Sequence, residues 1–62
     1  MTRRRIESLV LRAKLIGAYR RRDDLEHRGG PLDKVDDRID DLEARADRDL
    51  IAEARRLAAP PG

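Results

Sequence analysis

Apolar residues recur along this chain at spacings of three and four, the period of a helix with one face turned inward. The C-terminal half carries a single stripe: Leu32, Val35, Ile39, Leu42, Ala46, Leu50, Ala54 and Leu57. Its spacing begins as 3-4-3-4 and then widens to 4-4, which predicts a seam that straightens locally. The N-terminal half carries two stripes. One is Ile6, Leu9, Val10, Ala13, Ile16 and Gly17; the other is Leu11, Leu15, Ala18 and Leu25.

Between the halves stands "HRGGPLD", residues 27–33, the only strong punctuation inside the chain. Gly29 can close a helix in the left-handed conformation, with His27 and Arg28 beside the exposed carbonyls. Pro31 suits the first turn of a new helix. The pattern predicts one all-α domain over residues 1–62: a helix over 2–28 with Thr2 as N-cap, a turn at 29–30, a helix over 31–58 and a tail at 59–62. "PPG" stops the second helix. Two helices of about 40 Å joined by a short loop make an antiparallel two-helix hairpin.

Length then changes the picture. A chain of 62 residues without cysteine lies where a single core is marginal and a second subunit often completes it. One partner helix covers only one stripe of the first helix, and full burial of each large aliphatic side chain is worth ~1.5–3 kcal/mol. The expectation is a homodimer in which two hairpins form a four-helix bundle, or a hairpin bound to a partner protein. The surface expected to meet the second copy or partner is Leu11, Leu15, Ala18, Tyr19 and Leu25. Ala13, Gly17 and Ala18 would let helices approach closely near mid-length.

Charge settles a different question. Charged residues are 45% of the chain and aromatics 2%, a composition that suggests disorder. The helical spacing of the aliphatic residues and the mixed signs, with a net charge of only +2, argue instead for helices with solvated faces. The acidic run "KVDDRIDDLEARADRDL", residues 34–50, is read the same way. Asp36, Asp40, Glu43 and Asp47 flank the stripe, whereas carboxylate-bridged metal bundles need inward acids and Glu-x-x-His pairs, and the chain contains no such pair. His27 cannot build a histidine metal site alone and is read as a helix cap. Ser8 has no histidine in helical reach, and "GGP" matches no phosphate loop. The expectation is a non-catalytic protein with no cofactor, metal or small-molecule substrate.

Residues 1–28 carry a net +5 and residues 29–62 a net −3, so the halves attract, and folding back at the glycines sets Arg20–Arg22 beside Asp36–Asp41. The hairpin would also gather Arg3, Arg4 and Arg5 with Arg55 and Arg56 at one tip, and helix N–H groups with arginines seat phosphate well. Two readings follow: contact with nucleic acid or an acidic partner, and a basic terminus that only solubilises. Tyr19 is the one aromatic residue, and no helix-turn-helix follows a tight turn. A basic start with an apolar middle is interrupted by Glu7, Arg12 and Lys14, and no apolar run approaches the ~20 residues that span a bilayer. The expected location is cytoplasmic, without membrane contact.

The layout of a "MTRRR" opening, helix, tight turn, helix and short tail resembles the Rop-type helical hairpins, whose dimers bind paired RNA loops. That resemblance implies RNA contact through polar side chains on the outer face of the first helix, here Arg5, Arg12, Lys14 and Arg21. The primary expectation is a small protein-interaction or regulatory module, and the alternative is a Rop-like nucleic-acid-binding regulator.

Overall fold

Gly29, at φ +69°, is the one described residue in the left-handed region, and it ends the first helix as its lack of a Cβ permits. Around it the Gly30 N–H donates to the Leu25 carbonyl at 2.8 Å and the Gly29 N–H to that of Glu26 at 3.2 Å. Those two bonds are the Schellman closure of a helix. A computed structural model describes the backbone of residues 3–59 and the side chains of residues 5–59. Within them are three α-helices, α1 at Arg3–Arg28, α2 at Asp33–Arg45 and α3 at Arg48–Ala58, and no strand. The Thr2 cap, the "PPG" stop and the side chains of Arg3 and Arg4 lie outside the described residues.

The expectation of all-α structure therefore stands, while a second long helix over 31–58 does not. Pro31 and Leu32 belong to the turn, and α2 begins at Asp33. The larger departure comes at Ala46 and Asp47, which adopt extended backbone (ψ 149° and 171°) between α2 and α3. Asp47 caps α3: its side chain accepts the Leu50 N–H at 2.8 Å, satisfying a donor that a helix N-terminus otherwise leaves orphaned. Two extended residues between helices reverse the chain.

The side-chain contacts fix the direction of each helix. Arg22 meets Asp36, and Glu7, Ser8 and Leu11 line a cleft with Arg45, so α2 runs antiparallel to α1. Arg12 meets Glu53, while Ala58 and Ala59 line a cleft with Tyr19, Arg22, Asp23 and Glu26. The last helix thus runs in the same sense as α1. Both shorter helices pack on α1, and the 41 Å long axis of the molecule matches the roughly 39 Å of a 26-residue helix.

The core is small. Leu15 and Ala18 of α1, Val35, Ile39 and Leu42 of α2 and Ala54 of α3 are buried, with Leu15 fully enclosed. Leu11, Ile16, Tyr19, Leu25, Leu32, Ala46 and Leu50 pack around them half-buried. The break at 46–47 resets the helical phase: Ile51 and Ala58 turn inward to half-burial while Leu57, an expected stripe residue, is 47% exposed.

Candidate interaction surface

A row of polar links ties the two shorter helices to α1. Arg12 donates to Glu53 Oε1 at 2.8 Å, and Arg22 Nε donates to Asp36 Oδ1 at 2.7 Å. Between them Glu43 Oε2 accepts from the Tyr19 hydroxyl at 2.8 Å and from Arg55 at 2.9 Å. The Arg55 guanidinium also sits 5.7 Å from the Tyr19 ring centroid, within cation–π range. Tyr19, Glu43 and Arg55 come one from each helix, so this cluster joins all three. Partial burial and the bond to Glu43 raise the Tyr19 pKa above its ordinary 10.0, because both favour the neutral phenol. Part of the acidic run is thus structural: Asp36 and Glu43 bind cations of the neighbouring helices and Asp47 caps α3, while Asp37, Asp40, Asp41 and Asp49 are exposed.

The stripe expected to remain uncovered is the one the fold uses internally. Leu15 and Ala18 are buried, and Leu11, Tyr19 and Leu25 are half-buried against α2 and α3. The reason is the turn at Ala46–Asp47: a chain that doubles back lays two helices, not one, over that side of α1. The other stripe is left open. Ile6, Leu9 and Val10 are 49%, 46% and 47% exposed, and Ala13 and Gly17 are exposed as well. At 3.6 residues per turn these five form a line along the back of α1. Residues 5–10 are all exposed, and the first turns of α1 are its least covered part, with Glu7 and Ser8 meeting only a cleft shared with Arg45 at the end of α2.

Leu57 extends this surface onto α3. It follows Glu53 by one turn, as Ile16 follows Arg12, and Arg12 and Glu53 are paired. With α1 and α3 running in the same sense, helical phase sets Leu57 on the flank of α3 that carries Glu53, and it is exposed there. Sequence periodicity named these residues but assigned Leu57 to the core and Ile6, Leu9 and Val10 to the covered side.

The expected basic tip does not form as drawn. Arg55 is bound to Glu43 and Tyr19, and Tyr19 is fourteen residues along α1 from Arg5, about 21 Å at 1.5 Å per residue. The hairpin that would have brought Arg55 and Arg56 to Arg3, Arg4 and Arg5 requires α3 to continue α2, and it turns back instead. Arg5 and Arg56 are exposed and meet no carboxylate among the described residues. Of Arg20–Arg22, Arg22 binds Asp36 and Glu26, and the other two are exposed. Arg12, one of the four outer-face residues implied by the Rop-type resemblance, is committed to Glu53.

His27 closes α1. Its Nδ1 lies 2.9 Å from the Asp23 carbonyl and 3.7 Å from the Asp23 carboxylate. The carbonyl bond first, and the carboxylate charge second, raise the imidazole pKa above 6.5. No described helix is long and apolar enough to cross a membrane. Compared with protein-family models, with curated proteins and with solved structures, the chain finds a match in none of the three.

Proposed function

We propose that this protein is a small, non-catalytic interaction module, regulatory in type, that works by presenting the back of α1 to another polypeptide. One observation carries the reading: Ile6, Leu9, Val10 and Leu57 stand about half exposed on a chain whose own core is assembled on the opposite side of α1. Apolar surface of this kind, gathered in a line, marks an interaction surface more often than scattered single residues do. A helix laid along it would be the fourth in the bundle, supplied by a second copy or by a different protein.

Nucleic-acid binding through the arginines is the weaker alternative. It loses Arg55, Arg12 and Arg22 to internal carboxylates, and it leaves the aliphatic line uncovered. Photo-cross-linking in living cells tests the proposal, with the reactive side chain at position 13 on the open face or at position 52 on the exposed surface of α3. Protein adducts should form from position 13 and not from position 52. Equal labelling from both positions, or adducts to nucleic acid alone, would sink it.

A further inference from the structure

The open line of α1 is set among cations. Lys14 and Arg5 lie on its two flanks, about a quarter-turn to either side, and Arg20 and Arg21 follow one turn beyond Gly17. All four are exposed, and none meets a carboxylate among the described residues. The acids near them are mostly occupied: Asp23 faces His27 and Asp24 pairs with Arg28. Glu7, exposed beside the line, meets no cation among the described residues. Towards α2 the positive border continues, because Arg21 shares a cleft with Lys34 and Arg38 of that helix, with Asp33 also at its wall.

Gly17 adds an independent observation. Glycine inside a helix weakens it relative to alanine, and here the fold does not need it, since a Cβ built on Gly17 meets nothing within 4 Å. Its backbone is also ordinary, as Gly29 is the only described glycine at positive φ. A bare backbone on an exposed face leaves room for another chain to approach it closely.

We infer that the occupant of the α1 face is an amphipathic helix of a different protein, whose apolar stripe is bordered by aspartate and glutamate. The inference rests on the interaction-module reading and names the partner's chemistry. A second copy fits less well: it brings four further exposed cations to the joint and at best one Glu7 to answer them, and like charges brought side by side repel. A polyphosphate would answer the cations but offers no apolar surface to Ile6, Leu9 and Val10. A helix with acidic borders answers both, and its ridge can settle on Ala13 and Gly17, where α1 is narrowest.

The experiment titrates the full chain with two labelled helical peptides that share one leucine stripe and differ only in carrying Glu or Lys on its borders. The acid-bordered peptide should bind about tenfold tighter or more, with a preference that shrinks at high salt. Leu9→Ser with Val10→Ser should abolish its binding, and Gly17→Leu should weaken it while circular dichroism stays unchanged. Equal affinity for both peptides would overturn the acidic assignment and leave the interaction reading intact. If neither peptide binds, sedimentation equilibrium decides what has failed: a dimer makes a second copy the occupant, and a monomer removes both readings. A short RNA that displaces the acidic peptide, and binds equally well after Leu9→Ser, would overturn the inference in favour of nucleic acid.

Discussion

Leu15 is the residue on which the fold depends most. It is fully enclosed among side chains of all three helices, and truncating such a leucine to alanine costs about 2–5 kcal/mol. A domain of this size commonly has only about 3–5 kcal/mol in hand. Leu15→Ala should therefore leave much of the population unfolded at room temperature, as urea titration followed by circular dichroism would show. Leu9→Ser, half exposed on the other side of the same helix, should change stability by no more than about 0.5 kcal/mol. Tyr19→Phe removes the bond to Glu43 and should cost about 0.5–1.5 kcal/mol. Its pH dependence follows from the raised pKa. The folded chain favours the neutral phenol, so this contribution is complete below pH 10 and fades as pH climbs through the folded value. Ultraviolet titration should place the phenol above 10.0, and a lower value would mean that the Glu43 bond does not persist. For His27 the favoured form is the cation. Its small contribution is complete below pH 6.5 and is lost as pH rises through the raised folded value. An imidazole titrating at or below 6.5 by NMR would contradict the Asp23 contact.

Among the elements, α1 and its closing turn were legible in the sequence, because only glycine takes the Gly29 conformation at no steric cost. The Val35–Ile39–Leu42 face was legible too, through its strict 3-4 spacing. The break after α2 was not. Ala46, Leu50 and Ala54 keep the spacing of an uninterrupted helix, and alanine is the best helix former. Its traces were the 4-4 widening of the stripe and the short carboxylate of Asp47, which competes for backbone N–H groups. Which stripe of α1 remains open depends on that turn, so the open face was not legible in the spacing of α1 alone. The polar cluster was hidden for the same reason, since it needs Arg55 brought back to Tyr19. Asp47→Ala should cost about 1 kcal/mol through the lost cap. Gly17→Ala should do the reverse and stabilise the chain by about 0.5–1 kcal/mol, raising the urea midpoint without changing the slope.

For the whole molecule, α1 is the spine on which two shorter helices rest, and its N-terminal turns are the least covered. Helical segments of two turns are marginal in water by themselves, so the thinly covered first turns take their order from the packed part of α1. Amides of residues 5–10 should exchange hydrogen fastest among the described helices, and a bound partner should slow them more than it slows residues 35–42. The open face of α1 also separates two kinds of selection. Because positions 6, 9, 10, 13 and 17 contribute almost nothing to holding the chain together, a library screened only for folded protein should accept serine or glutamine at all of them. On the proposed reading, a second screen for partner capture should reject those same variants, and the positions it rejects would trace the contact footprint.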